Sequence, residues 1–441
     1  MSLGLAGGWC SPQIIEAKRL MQNGMPWHAT CLSPLNAPRS MPDVCGRLNP
    51  KPKDLNLLNL MKCNLWTLAL LGTGVISLPS VTTADETPNS VLTSLATTTL
   101  SGYVDTSMQW NLGSGNFNLP PYAFGGGGKA DGFNLNVVKL TLEKAIDAAD
   151  TWGAGYKADL IFGPDADALF TQSSGIPADF AVKQAYVALR VPCLPNGLDF
   201  KVGVWDTIIG YEVFESGNNP NYTRSYGYTM EPTTHTGVLA TYQFCEFFAA
   251  NFGVANTFGP TINGRGPTES YKTYMGSFTL TAPESMGFLA GSSLSACVIN
   301  GFNSATGNET SYYVGASVNT PLTGLKAGLA FDYMDVHNTT GETYALGGYL
   351  AFQCTEKFGI FGRAEYVRDR GDQKFFVTAP DRFMELTGTV QYELWKNVLT
   401  RVEIRWDHSL SGEGVWGGTS AADPGDLKNE VMMGANIIYK F

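Results

Sequence analysis

The feature that most constrains this chain is an alternation of apolar and polar residues that recurs from residue 99 to the C-terminus. In the segment 99–110, apolar side chains stand at even positions such as Leu100 and Trp110, whereas polar ones such as Asp105 stand at odd positions. A period of two puts successive side chains on opposite faces of a β-strand. The pattern therefore predicts strands with one apolar and one polar face.

Segments of this kind follow one another along the whole C-terminal part of the chain. Short and long connections alternate between them, although 337–341 is shorter than the other long ones. The predicted strands are 99–110, 133–145, 152–163, 180–190, 198–206, 236–245, 247–257, 271–281, 287–299, 311–320, 325–336, 342–353, 358–369, 382–394, 398–408 and 430–441.

Composition decides between a soluble sheet and a membrane barrel. Charged residues make up 15% of the chain, against about 25% in soluble domains. No stretch reaches the roughly 18 apolar residues of a membrane helix, which excludes a polytopic helical membrane protein, whereas a membrane-spanning strand needs only about 9–11 residues. We therefore predict an all-β protein in which 99–441 forms a closed antiparallel transmembrane β-barrel of about 16 strands. Its short turns would be periplasmic and its long loops extracellular.

Residues 61–84 have the pattern of a secretory signal peptide. Lys62 supplies one positive charge, an apolar segment of 14 residues begins at Leu65, and the small Ala84 precedes an aspartate. This order is typical of a cleaved signal. We expect cleavage after Ala84.

The prediction of a signal peptide bears on the segments on either side of it. Residues 85–98 would be a short periplasmic lead-in to the barrel. Because signal peptides lie at the N-terminus, we expect translation to start at Met61 and residues 1–60 to be a non-native or disordered extension. A genuine N-terminal extension is the alternative.

The end of the chain and several internal motifs carry a family resemblance. The last predicted strand finishes in Phe441, which is typical of outer-membrane barrels. The chain resembles the OmpL-like β-barrel porin family of Gram-negative bacteria, from about residue 100 to its end. The matching motifs are Ser101-Gly-Tyr-Val-Asp, Val138-Lys-Leu-Thr-Leu-Glu-Lys, Ala158-Asp-Leu-Ile-Phe-Gly, Gln184-Ala-Tyr-Val, Lys201-Val-Gly, Gly210-Tyr-Glu and Gly362-Arg-Ala-Glu-Tyr.

The resemblance implies a passive outer-membrane channel for small hydrophilic solutes and ions. An outer-membrane receptor or adhesin whose loops bind a partner is the alternative. A lipid or hydrocarbon transporter would need an apolar lumen, which the charged inward positions oppose. A homotrimer is expected only by analogy with other porins.

Other classes of function find little support in the sequence. A net charge of −10 argues against nucleic acid as a partner. Catalytic and metal-binding motifs are absent from the sequence, so neither an enzyme nor a cofactor is predicted. Asp407, His408 and Ser409 are the nearest approach to a catalytic group, but adjacent strand residues point to opposite faces.

Charged residues on the polar faces are the candidate lining of the channel. The alternation turns the following side chains inward: Arg363, Glu365, Arg401, Glu403, Arg405 and Asp407. They could set ion selectivity or merely pair with one another along the wall.

The third long connection, 207–235, is the candidate constriction. In other sixteen-stranded porins the third long loop folds into the barrel. Here it carries Glu212, Glu215 and Arg224, and its acids could face the wall arginines across the bore. An exposed surface loop is the alternative.

Cysteines and aromatic residues lie near the predicted strand ends. Cys193 and Cys245 fall at neighbouring short turns, where a disulfide is permitted. Free thiols or links to envelope partners are the alternatives. The aromatic residues expected in a girdle at the lipid boundary are Trp110, Trp152, Trp205, Trp395, Trp406 and Tyr439.

Overall fold

The structure is a computed structural model, and its described residues begin at Thr97, two residues before the first predicted strand. The predicted extension 1–60 and signal peptide 61–84 lie outside the described residues, as does most of the lead-in. The described residues are 97–113, 115–147, 150–172, 178–266, 271–303, 307–337, 342–370, 374–375, 380–412 and 414–441.

Within these residues, sixteen strands close into one barrel. Their bounds are β1 (Thr99–Leu112), β2 (Gly132–Lys144), β3 (Gly153–Phe162), β4 (Phe180–Val191), β5 (Leu198–Asp206), β6 (Thr234–Cys245), β7 (Phe248–Ala255), β8 (Thr273–Thr281), β9 (Ser293–Asn303), β10 (Gly307–Asn319), β11 (Leu325–Val336), β12 (Glu342–Gln353), β13 (Phe358–Arg370), β14 (Arg382–Trp395), β15 (Val398–Ser409) and β16 (Asn429–Lys440). Two short helices, α1 (Pro164–Leu169) and α2 (Tyr226–Met230), lie in connections, as do the 3₁₀ segments Ser216–Asn218 and Glu284–Leu289. None of the helices described is long and apolar enough to cross a membrane.

The barrel closes where the first strand meets the last. β1 pairs antiparallel with β16, from Tyr103 opposite Lys440 to Leu112 opposite Val431. Phe441 continues this pairing, because its backbone N–H donates to the Gly102 carbonyl and its carbonyl accepts from the Gly102 N–H, both at 2.9 Å. Closure leaves no strand edge unpaired, which a sheet surrounded by lipid requires. The prediction of a closed sixteen-stranded antiparallel barrel is confirmed.

Side chains alternate between the two faces of the wall as the sequence predicts. On β15, Arg401 and Arg405 point inward and are at most 2% exposed, whereas Val402 and Ile404 point outward and are 59% and 51% exposed. Lipid can solvate the outward apolar side chains but not a charge. The alternation therefore fixes which side chains can contribute to the interior.

The clearest difference from the predicted strands concerns β9 and β10. The strand expected at 287–299 begins at Ser293, and the 3₁₀ segment Glu284–Leu289 occupies the residues before it. The long loop expected over 300–310 is also wrong in its extent, because β9 continues to Asn303 and β10 starts at Gly307. Opposed residues such as Phe302 and Asn308 extend this hairpin beyond its apolar part.

The outer surface carries aromatic residues near both ends of the strands. Trp110, Trp152, Trp395 and Tyr439 are 43% to 67% exposed, and Trp406 is partly exposed. Trp205 does not belong to this set. Its side chain points inward, is fully buried and lies beside His235. Its place near a strand end predicts the girdle, but its odd position on β5 turns it into the barrel.

Candidate functional site: the loop inside the barrel

The connection between β5 and β6 lies inside the barrel. We call residues 207–233 loop L3, since β6 starts at Thr234 rather than at 236 as predicted. The two ends of L3 meet, because the Thr207 N–H donates to the Thr233 carbonyl at 2.7 Å. Between these ends most side chains are buried, including fully buried Asn221 and Tyr226. Of the two alternatives for this connection, the structure therefore has the inward-folded one.

Arg363 on β13 joins L3 to the wall through its guanidinium group. Nη1 lies 2.9 Å from Glu212 Oε1 of L3 and Nε lies 2.7 Å from Glu385 Oε1 on β14. Nη1 also donates to the Thr223 carbonyl at 2.7 Å. All three charged side chains are fully buried. Arg363 is thus shared between a wall strand and two points of the loop.

Two wall carboxylates accept hydrogen bonds from the L3 backbone. Glu403 on β15 accepts from the N–H groups of Tyr222 at 2.5 Å and Thr223 at 2.9 Å. Glu365 on β13 accepts from the N–H groups of Tyr226 at 2.7 Å and Gly227 at 3.0 Å. These four donors would otherwise be buried without a partner, which is costly.

Two wall arginines complement the carboxylates by donating to L3 carbonyl groups. Arg401 Nη1 donates to the carbonyls of Ser216 at 2.9 Å and Asn221 at 3.0 Å. Arg405 Nη1 donates to the Arg224 carbonyl at 2.7 Å, and its Nε lies 2.8 Å from Asp407 Oδ2. Arginines and glutamates therefore alternate along the wall beside L3. The arginines donate to its carbonyl groups, and the glutamates accept from its N–H groups.

The predicted residue Asp407 also contacts L3, through an aromatic side chain. The Tyr226 hydroxyl donates to Asp407 Oδ1 at 2.7 Å, and the Tyr226 ring lies 4.8 Å from the Arg405 guanidinium carbon. This geometry combines a hydrogen bond with a cation–π contact. It fixes α2 of the loop against β15.

Glu215 and Arg224 do not lie where the sequence suggested. Glu215 was expected to face the wall arginines, but it contacts Lys139 on β2 and Lys183 on β4 instead. Arg224 bonds to the L3 carbonyls of Tyr222 and Phe214 and lies over the Phe124 ring of the β1–β2 connection. L3 is thus held from several sides of the barrel.

An apolar cluster anchors the start of L3 on the opposite wall. Ile208 and Ile209 pack in a buried cluster with Met275 and Ile299, which point inward from β8 and β9. Tyr211 stacks on Tyr349 of β12 with ring centroids 4.1 Å apart. Burial raises the pKa of the Tyr211 hydroxyl to about 12, although a hydrogen bond with Ser317 opposes the shift. Sequence reasoning missed these apolar inward residues, because alternation alone predicts a polar lumen.

The described cysteines form no disulfide, so the structure does not contain the candidate Cys193–Cys245 bond. Asn196, three residues beyond Cys193, is the residue of this turn that contacts the end of β6. Its side-chain amide donates to the carbonyls of Gln243 at 2.8 Å and Phe244 at 3.2 Å. Cys193 is therefore left exposed on its turn, while Cys297 is buried in the apolar cluster.

The described residues contain no group of three or more His, Cys, Asp or Glu side chains that could hold a metal ion. The arrangement is instead a packed network of charges and backbone groups around L3. Its inward side chains have little exposure at this level, so any water-filled passage past L3 is narrow.

Comparison with known proteins gives one family and several solved structures. The model of the family described as "Putative beta-barrel porin-2, OmpL-like" matches residues 97–441. OprB of Pseudomonas putida has a TM-score of 0.51 at 12% identity, covering 80% of this chain and 97% of that one. The outer membrane channel DcaP of Acinetobacter baumannii has a TM-score of 0.50 at 13% identity, covering 78% and 97%.

An anion-selective porin from Comamonas acidovorans is similar to the same extent. Its TM-score is 0.50 at 15% identity, and the match covers 78% of this chain and 99% of that one. At these identities the likeness to solved structures concerns the fold. No curated protein sequence matches this chain.

Proposed function

The chain belongs to this OmpL-like β-barrel porin-2 family, and from that premise we propose that it is a restricted channel for small hydrophilic solutes and ions. The family and the barrel make it an outer-membrane channel for passive diffusion. L3 sets the width of its bore. The observation that supports this role is the set of buried contacts that fix L3 to β13 and β15.

The wall residues predicted from the sequence act in this proposal by holding L3. Arg363, Arg401 and Arg405 bind its carbonyl groups, and Glu365 and Glu403 bind its N–H groups. Because these charges are already paired, they define the shape of the passage more than they attract ions. Solutes would pass between L3 and the less tightly packed parts of the wall.

Single-channel conductance of the protein purified from outer membranes tests the proposal. We expect small, stable current steps in a planar lipid bilayer, because L3 leaves little free cross-section. A folded barrel that inserts into the bilayer and passes no current would contradict the proposal. That outcome would favour the alternative of a receptor or adhesin whose loops bind a partner.

Export and assembly complete the proposal. We propose that a signal peptide at 61–84 directs the chain to the periplasm, from which it enters the outer membrane. A homotrimer is part of the proposal only by analogy with other porins. The mass of the detergent-solubilised protein, measured by light scattering, distinguishes a trimer from a monomer.

A further inference from the structure

In the described part of the chain, four inward-facing lysines lie on the periplasmic side of L3. Lys157, Lys201, Lys326 and Lys440 are each within a few residues of the periplasmic end of their strands, which are β3, β5, β11 and β16. Each shares the inward face of its strand with buried residues, as Lys440 does with Ile438. These strands are spread around the barrel. We call the four residues the lysine ring.

The lysine ring differs from the cations at the level of L3 in its contact with water. Arg363, Arg401 and Arg405 are at most 2% exposed, whereas all four ring lysines are partly exposed. Lys440 marks the boundary, because its Nζ donates to the Gly217 carbonyl on the periplasmic side of L3 at 3.3 Å. A solute leaving the L3 passage would therefore meet the ring next.

Charges facing the bore at this level are predominantly positive. Lys157 lies 3.3 Å from Glu143 on β2, and Glu393 is exposed near the end of β14. Arg190 and Asp199 pair with each other at 2.7 Å and cancel. Asp159, two residues beyond Lys157 on β3, forms an ion pair with Lys139 at 3.1 Å. Among the described residues, the four ring lysines thus outnumber Glu143 and Glu393, the acids at this level that Arg190 and Lys139 do not pair.

Acidic residues on the periplasmic turns have a weaker electrostatic effect on an ion in the bore than these lysines have. They are Asp147, Asp150, Glu246, Glu284 and Glu356. Water and salt screen exposed charges outside the barrel, with a Debye length of about 8 Å at physiological ionic strength. Within a narrow bore with low-dielectric walls, the field of the lysines is stronger.

On the premise that the chain is an open diffusion channel, we propose that the lysine ring makes it selective for anions, with small carboxylates and phosphates as the solute class. A ring of lysine or arginine side chains is a known means of favouring anions in a pore. The ring concentrates anions at the periplasmic mouth and repels cations. The paired charges at L3 define the shape of the passage, and the lysine ring determines which sign of ion passes more readily.

The reversal potential of the purified protein in a potassium chloride gradient tests this inference. We expect the wild type to pass chloride several-fold better than potassium. The variant K157Q/K201Q/K326Q/K440Q should lose this preference or invert it, while its current steps remain. A wild type that prefers potassium, or a variant whose reversal potential equals that of the wild type, would overturn the inference.

A second variant controls for the loss of charge itself. K144Q/K357Q/K396Q/K428Q removes the same number of lysines from positions outside the bore, and its selectivity should match that of the wild type. If the ring variant does not fold, K201Q/K326Q carries the test, with a smaller shift in the same direction. A folded wild type without current contradicts the channel itself, whereas current without anion preference contradicts only the role of the ring.

Discussion

At the scale of single residues, Arg363 connects L3 to two strands of the barrel wall. Its guanidinium forms ion pairs with both Glu212 of L3 and Glu385 of β14, at 2.9 Å and 2.7 Å. Removing one member of a buried ion pair leaves its partners charged and desolvated, which typically costs about 3–5 kcal/mol. The stability of the barrel and the width of its bore should therefore respond together to a change at this position.

We predict that Arg363→Gln lowers the temperature at which the folded barrel unfolds and raises its single-channel conductance. The first effect follows from the unpaired carboxylates, and the second from a loosened L3. Arg363→Lys should be intermediate, because an ammonium group keeps the charge but not the planar fork of donors. Heat-dependent mobility in gel electrophoresis and bilayer recordings measure the two effects.

The control for Arg363 is Arg382→Gln on the outer surface. Arg382 is about half exposed and lies 3.5 Å from Asp381, and exposed ion pairs contribute only about 0–1 kcal/mol. Its loss should change neither readout. If Arg363→Gln behaves like this control, the ion pairs do not hold L3.

Cysteine accessibility gives a second prediction at the residue scale. Cys193 is exposed and Cys297 is buried beside L3. In the folded protein a maleimide reagent should label Cys193 readily and Cys297 only after unfolding. Mass spectrometry of labelled peptides identifies the sites. A Cys193–Cys245 peptide found under non-reducing conditions would restore the disulfide that the structure lacks.

At the scale of elements, L3 is a connection that we expect to be removable while the barrel strands stay folded. Its ends are joined by the hydrogen bond between Thr207 and Thr233, so a short linker can span them. We predict that replacing residues 212–230 by a glycine-serine linker leaves a folded barrel with a several-fold larger conductance. Shortening the exposed tip 419–424 of the β15–β16 connection is the control and should leave the conductance unchanged. An equally small conductance without L3 would place the constriction elsewhere.

The strands were predictable from sequence because lipid acts on every one of them in the same way. Lipid demands apolar outward side chains and a closed hydrogen-bonded sheet, so alternation located β13 and β15 to within two residues. It also turned Arg363 and Arg405 inward, where they lie. Because lipid contacts one face of each strand and the lumen contacts the other, apolar and polar residues alternate in the sequence.

The contacts of L3 were not predictable in the same way. Alternation assumes a wet lumen, but Met275 and Ile299 are inward and apolar because they pack on Ile208 and Ile209. Trp205 was misplaced because it lies near a strand end, although its position in the alternation turns it inward. The rank of the loop along the chain suggested that it folds inward, yet only coordinates show that Glu215 reaches Lys139 and Lys183 rather than the wall arginines.

At the scale of the whole molecule, the charges divide into two groups along the bore. Those at the level of L3, such as Arg401, are buried and hold the loop. Those on its periplasmic side, such as Lys201, are partly exposed and can act on a passing ion. A channel of this kind separates its size limit from its preference for charge, so variants of each group should change one property with little effect on the other.

The last prediction concerns which part of the chain reaches the membrane. The family match starts at residue 97 and the barrel at Thr99, while the signal pattern ends at Ala84. We predict that the mature protein in the outer membrane begins at Asp85, because signal peptidase cleaves after a small residue at the end of the apolar segment. N-terminal sequencing or intact-mass measurement of the purified protein tests this. Substituting Ala84 by a bulky residue should retain the uncleaved form, whereas Ala96→Leu, outside the cleavage site, should not. Peptides from residues 1–60 in the membrane fraction would contradict the prediction and support a genuine N-terminal extension.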